Sequence, residues 1–241
     1  MPQLGAIRDE LAAVFRRGLW RTAHMALVES WFHLIFRANT QFLVARQDLD
    51  ITDDDDKIHA IGHYPVRYYH LALALDGTEF ACRGRVFVDF GCGAGRAILF
   101  ASRLPFNRII GVDISPSLCQ TTRTNLEQYY KRREKTVPSW EVVESNARTY
   151  QIPDDADIFY FYHPFDEVVM NDVIDNIVNS VRRTPRDCVI VYMNPVCADL
   201  LIAKGFRPLS HRTAGFQYFT IFKMDTQVVL AEKAAPAGPS R

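Results

Sequence analysis

The sequence predicts an α/β protein: a doubly wound, mostly parallel sheet covered by helices on both faces, with a helical extension in front. Three observations carry this. From Arg85 onward, short β-branched and aromatic runs alternate with longer stretches of helical periodicity. The runs are apolar on both sides, as strands covered on both faces must be. A glycine-rich turn separates the first run from the helix after it, where an open parallel sheet places its ligand.

Residues 1–57 read as a helical extension ending in an acidic linker. "LAAVFRRGLW" (11–20) and "MALVESWFHLIFRANTQFLV" (25–44) carry apolar residues at three- and four-residue spacing. Their polar faces hold Arg16, Arg17, Glu29 and Arg37; the favoured expectation is helices packed on the main domain, as a lid or a dimer surface, and the alternative is a basic amphipathic helix on a membrane surface. Trimming to about residue 55 is expected to leave the sheet folded. "DLDITDDDDKI" (48–58) has six aspartates in nine residues, which repel one another and predict a solvated linker.

Residues 58–230 read as the main domain and 231–241 as a disordered tail rich in small residues. "YPVRYYHLALAL" (64–75) opens with a proline suited to a helix first turn, and Asp76-Gly77 closes it. Strands are predicted at 85–90, 108–114, 140–146, 157–162, 188–193 and 216–224. Helices are predicted after the glycine turn and at 116–135, 167–183 and 198–206.

Of the 241 residues, 48% are hydrophobic, enough for one large core. Net charge is zero with histidine neutral, so no global field steers the chain to nucleic acid. "KRREK" (131–135) is the most basic stretch and reads as a solvated helix end. Cys82, Cys92, Cys119, Cys188 and Cys197 are scattered without zinc spacing and suggest free thiols in a reducing compartment. Asp9 and Glu10 interrupt any signal-peptide layout, and no run of 18 apolar residues exists. The expectation is a soluble, cytoplasmic protein without a resident metal.

"VDFGCGAGRA" (88–97) carries the chemistry. A dinucleotide fingerprint fails in both registers, because the third glycine would fall on Arg96 or Ile98. The Gly-Lys-Ser/Thr of a P-loop is absent as well. What stands is Asp89 followed by Gly91, Gly93 and Gly95. An acid at that strand end repels a pyrophosphate and suits a cationic amino-acid moiety. Cys92 reads as a small side chain in a tight loop, not a nucleophile.

On these residues the chain resembles the class I S-adenosylmethionine-dependent methyltransferases. The resemblance spans about residues 60–225 and implies a seven-stranded Rossmann-like sheet and S-adenosyl-L-methionine as methyl donor. It implies cofactor contacts from Asp89, Gly91, Gly93 and Gly95, ribose contacts from Asp113 with Ile114 beside it, and a further contact from Tyr64. "ESNAR" (144–148) matches the third motif, which gives adenine recognition to Asn146 and Ala147. "YFYHPF" (160–165) falls on the fourth, where cofactor and acceptor meet; it implies substrate contacts from Tyr162 and Phe165. "HYPVRYYHLALAL" together with the Pro-Phe pair resembles a bacterial branch related to Dot1-like lysine methyltransferases. Family members often carry Asn before Pro-Phe, where this chain has His163. Two roles stay open for His163: a general base, or a packed or cofactor-contacting ring. Pro164 predicts an extended backbone at His163. Tyr160 and Tyr162 share one face of their strand and read as core with satisfied hydroxyls.

The acceptor is a protein lysine or a small molecule. Two alternatives remain open: a catalytically silent S-adenosylmethionine-binding subunit, and an aminopropyl transferase, for which Asp166 and Glu167 supply acids just past the fourth motif.

Overall fold

A computed structural model describes residues 18–75, 80–133, 138–214 and 217–224. Three sequence expectations fall wholly or partly outside these: the helix over 11–17, the Asp76-Gly77 turn, and the tail. Of the "KRREK" stretch, Lys131, Arg132 and Arg133 are described, and all are exposed.

The elements run α1 (Leu19–Phe36), a short 3-10 turn (Arg46–Asp48), α2 (Asp54–His59), α3 (Tyr68–Leu75), β1 (Val86–Phe90) and α4 (Arg96–Ala101). They continue with β2 (Arg108–Asp113), α5 (Pro116–Lys131), β3 (Ser139–Glu144), β4 (Ala156–Tyr162) and α6 (Glu167–Arg183). β5 (Val189–Met193), α7 (Ala198–Ala203), β6 (Phe206–Ala214) and β7 (Gln217–Met224) complete the fold. Seven described strands form one sheet in the order β3-β2-β1-β4-β5-β7-β6. The first five are parallel; β7 runs antiparallel to β5 and to β6.

Strand alternation divides the core into two layers. Phe87, Ile109, Ile158 and Tyr160 face a cluster with α3, α4 and α5. Val88, Phe90, Ile110, Phe159 and Phe161 face a second cluster with α6. The six strands read from the pattern are all present. β6 escaped it: its sequence, "FRPLSHRTA", is mostly exposed and polar, with a register shift near Pro208. Such a strand is tolerated at a sheet edge, where proline's missing donor faces solvent.

The N-terminal helix packs on the main domain as expected, and differs from the expectation in its length, in the place of Glu29 and in being core and not lid. The helix stops at Phe36, where Arg37 turns left-handed (φ 46°) and gives its N–H to the His33 carbonyl at 2.8 Å. Glu29 is not on a solvent face; it pairs with buried Arg96, whose guanidinium lies 4.0 Å over the Tyr68 ring. Phe32 and Phe36 pack among Tyr68, Phe100 and Tyr129 in the main core. This helix is structural, so a chain cut at residue 55 loses part of its core. Its other side leaves Trp20, Leu27 and Trp31 exposed.

The acidic segment is not a solvated linker either. Asp53 caps α2 by accepting the N–H groups of Asp55 and Asp56. Leu49 and Ile51 are buried against Leu118. The aspartates stay near water or find partners, while the apolar residues between them go inward. Among the described residues, no helix is long and apolar enough to cross a membrane.

Candidate functional site

The carboxyl ends of the parallel strands open onto a cavity of about 310 Å³. Its floor includes Gly91, Gly93, Asp113, Ile114, Asn146 and Ala147. The loop after β4 contributes Tyr162 through Phe165, and residues 59–64 with Asp56 form the roof.

Glycine is required in the first loop for space as well as backbone angle. Gly91 and Gly93 have φ of 72° and 54°. A Cβ on Gly91 would lie 2.3 Å from Pro164 Cβ, and one on Gly93 2.3 Å from His63 Nδ1. The loop is therefore pressed between the fourth-strand turn and the roof. Gly95 caps α4 from below, against Thr122, and is not on the cavity wall. Asp89 also lies beneath it, 3% exposed. Burial and the Asp113 carboxylate push the Asp89 pKa well above the usual range.

Asp113 ties two loops together. Its Oδ2 accepts the Gly93 N–H at 2.8 Å and its Oδ1 the Ser115 N–H at 3.0 Å. Burial raises its pKa against these hydrogen bonds. Each carboxylate oxygen keeps a lone pair for a further donor. Ser115 caps α5 and also bonds Asp50 from the acidic segment, while Ser117 N–H donates to Asp50 at 2.8 Å.

Asn146 lines the cavity, and each end of its amide makes one hydrogen bond, which leaves one N–H and one lone pair for a ligand. Nδ2 donates to Asp56 Oδ1 at 2.6 Å, and Oδ1 accepts the Arg148 N–H at 2.9 Å. Ile114 and Ala147 present apolar surface beside it. Tyr64 lines the rim with 53% exposure.

The turn after β4 corrects the backbone expectation. His163 has φ 43°, left-handed in spite of the following proline. The sharp turn sets Pro164 against Gly91 and brings its carbonyl to the Ile61 N–H at 3.2 Å. His163 Nδ1 is buried without a hydrogen-bond partner, and burial lowers the pKa of the ring. The Tyr162 hydroxyl accepts from Gln217 at 3.0 Å, and Phe165 is buried edge-on to Phe161. Tyr160 is core, as expected, but its hydroxyl is buried without a partner. Cys92 is buried, and burial raises its pKa, which keeps the thiol protonated.

Two roof histidines were not singled out from the sequence. His63 Nε2 is buried without a partner, and burial plus the Arg96 charge lower its pKa to about 4. His59 gives Nδ1 to Asp166 Oδ2 at 2.6 Å. The spacing in "HAIGH" (59–63) was the available sign.

A deep glycine cradle, Asp113 at the floor and orphaned ring nitrogens at the wall fit a ligand rich in hydrogen-bonding groups.

Residues 87–186 match the family described as a methyltransferase domain. The ribosomal protein L11 methyltransferase of Alteromonas mediterranea is 47% identical over 51 residues, which is 21% of this chain and 17% of that protein. The one of Aeromonas hydrophila subsp. hydrophila is 44% identical over 54 residues, 22% of this chain and 18% of its own length. The chain thus covers under a fifth of the length of these two relatives. Precorrin-6y C5,15-methyltransferase from Geobacter metallireducens superposes with a TM-score of 0.50 at 18% identity, over 66% of this chain and 88% of that one. The pyocyanin biosynthetic protein PhzM gives 0.51 at 16% identity, over 66% and 56%. At such identities the structural likeness speaks for the fold. With the strand order, the glycine loop and the acid after β2 in place, residues 87–186 form a methyltransferase domain of the class I, S-adenosylmethionine-dependent kind.

Proposed function

We propose that the chain binds S-adenosylmethionine in the cavity at the carboxyl edge of the sheet and transfers its methyl group to an acceptor entering beside the loop after β4. The observation that carries this reading is the meeting of Gly91, Gly93 and Asp113 on one cavity wall. When bound, the cofactor supplies an electrophilic methyl on a sulfonium. The chain's part is to bind, orient and exclude water. Asp113 would hold the ribose hydroxyls. The glycine loop would take the amino-acid end against its backbone, with Asp89 buried beneath it. Ile114 and Ala147 would bracket the adenine. Asn146 would read the adenine amino group with its remaining Oδ1 lone pair, held in place by its hydrogen bond to Asp56. Tyr162, His163 and Phe165 would line the acceptor side, and Tyr64 on the rim would contact the cofactor. Tyr64 and the Pro164–Phe165 pair lining one cavity also support the finer Dot1-like resemblance. The five free cysteines suit a reducing compartment, and we place the protein in the cytoplasm.

The aminopropyl alternative gains little from the geometry. Asp166 is spent on His59 and the α6 N-terminus, and Glu167 faces solvent.

Calorimetry with S-adenosylhomocysteine tests the assignment. Each charge-assisted hydrogen bond from Asp113 is worth about 1.5–3 kcal/mol. With water partly replacing them, Asp113→Ala should weaken binding roughly 10- to 100-fold. An unchanged affinity in the folded variant would sink the reading, as would saturable binding of NAD. A chain that binds but moves no labelled methyl in cell extract would support the silent-subunit alternative.

A further inference from the structure

The sequence offered His163 as a base, but the roof holds a histidine better built for that role. His59, the last residue of α2, lines the cavity and keeps 18% of its side chain exposed. Its Nδ1 lies 2.6 Å from Asp166 Oδ2. That carboxylate cannot swing freely, because its Oδ1 caps α6 by accepting the N–H groups of Val168 and Val169 at 3.1 and 3.3 Å. The backbones are joined as well. Asp166 N–H donates to the His59 carbonyl at 3.1 Å, Ala60 bridges Phe165, and Ile61 N–H donates to Pro164. The pair is thus mounted on a short antiparallel clasp against the loop that follows β4.

A carboxylate on Nδ1 fixes the neutral tautomer with its proton there, which leaves the Nε2 lone pair available. It also stabilises the imidazolium once a proton arrives. The other cavity histidines have no such support. His63 lies near Arg96, which together with burial resists protonation, and His163 Nδ1 is buried without a partner. Other charged groups around His59 are Asp56 and Lys57 on its own helix, and Arg46, which donates to the Ile58 carbonyl at 3.1 Å. Burial raises the Asp166 pKa, but the hydrogen bonds from His59 and the two α6 N–H groups hold it below the usual carboxylate range.

We propose that His59, positioned by Asp166, is the proton acceptor of the methyl transfer, and that the acceptor is a protonated nucleophile: a hydroxyl or an ammonium. This deepens the methyltransferase reading and rests on it. A hydroxyl acceptor gives its proton to His59 Nε2 as its oxygen lone pair forms the bond to the methyl carbon. An ammonium gives its proton to Nε2 first, which frees the nitrogen lone pair for the same attack. In both, the carbon–sulfur pair stays on sulfur. Asp166 offsets the resulting imidazolium until solvent removes the proton.

The test uses the full chain with two readouts. Nitrogen NMR of the histidine rings, with S-adenosylhomocysteine present, should show His59 protonated on Nδ1 in the wild type and a mixture of the two tautomers in Asp166→Asn. Transfer of labelled methyl from S-adenosylmethionine is then followed against pH in extract of the cells from which the sequence comes. His59→Gln should lower turnover by about 10²–10⁴-fold and remove the acid limb. S-adenosylhomocysteine affinity should stay within about threefold, well under 1 unit of log K. Asp166→Asn should lower turnover at saturating S-adenosylmethionine while S-adenosylhomocysteine affinity stays within about threefold. The proposal is overturned if His59 carries its proton on Nε2, if His59→Gln keeps the limb, or if His163→Asn removes it instead. If His59→Gln fails to fold, the ring tautomers of the wild type and of Asp166→Asn still decide. A wild-type chain that binds S-adenosylhomocysteine but moves no methyl overturns the enzyme reading itself, and this proposal with it.

Discussion

The floor of the cavity comes from the ends of parallel strands, held by sheet hydrogen bonds and by apolar packing on both faces. The roof, residues 44–64, has no such ladder. One bridge joins Val44 to His63 and another Ala60 to Phe165. Asp50 reaches the Ser115–Ser117 turn, Asp56 reaches Asn146, and Leu49 and Ile51 make a small apolar anchor on Leu118. Regions with few buried apolar contacts and mostly exposed hydrogen bonds sit at the low end of local stability. The difference teaches where binding and folding separate: the floor is part of the fold, and the roof is assembled on it by polar contacts that water can replace.

The hardest break is at the point where the two meet. Gly93→Ala puts a methyl into His63 and asks for a left-handed alanine, which alone costs roughly 1–2 kcal/mol. The roof must lift to make room, so S-adenosylhomocysteine binding should weaken by at least about 100-fold. Helix content by circular dichroism should stay close to wild type, and calorimetry reads the affinity. Near-normal binding would mean that roof and loop do not press on one another.

Phe36→Ala tests whether α1 belongs with the floor. Phe36 is 1% exposed among Tyr68 and Tyr129. Removing such a ring costs about 3–5 kcal/mol. At roughly 2–4 °C per kcal/mol for a chain of this size, Tm should fall by about 6–20 °C. A shift under about 2 °C would return α1 to the status of a dispensable lid.

The same contrast explains what the sequence made legible. The floor was readable because its features are local. The β-branched runs, Gly91, Gly93 and the acid at Asp113 each lie within a few residues of the element they define. Local rules failed where tertiary contacts outweighed them. Pro164 argues for an extended His163, yet docking on Gly91 and the hydrogen bond to Ile61 hold a left-handed turn. Six aspartates argue for a solvated linker, yet Leu49 and Ile51 find Leu118. The His59–Asp166 pair spans 107 residues, a separation at which no spacing rule operates. β6 carries Pro208 and exposed polar residues, so it reads as loop until β7 offers it an edge.

Asp50→Ala addresses the roof alone. It removes a bond to Ser115 and one to the Ser117 N–H, in a place that water reaches. At about 0.5–1.5 kcal/mol for a typical hydrogen bond, affinity for S-adenosylhomocysteine should fall by roughly three- to tenfold. Tm of the ligand-free chain should move by less than about 2 °C. A large loss of Tm would show that the segment belongs to the folding unit after all.

The last break is a change of slope with pH, and it reports on His63. In the folded chain, burial and Arg96 lower the His63 pKa from 6.5 to about 4. In the unfolded chain the ring titrates near its ordinary value. Between those two pH values the unfolded state therefore binds more protons than the folded state, and stability falls as pH is lowered through the window. His63→Gln removes the titration. The variant's Tm should match a fixed offset from wild type above about pH 7 and then fall less steeply toward pH 4. The slope should be reduced, not abolished, because burial also lowers the His163 pKa and so contributes with the same sign. The measurement is Tm by calorimetry at several pH values in constant ionic strength. Parallel curves for the two proteins through the window would show that His63 is open to solvent, and the roof would then be looser over Gly93 than its close approach implies.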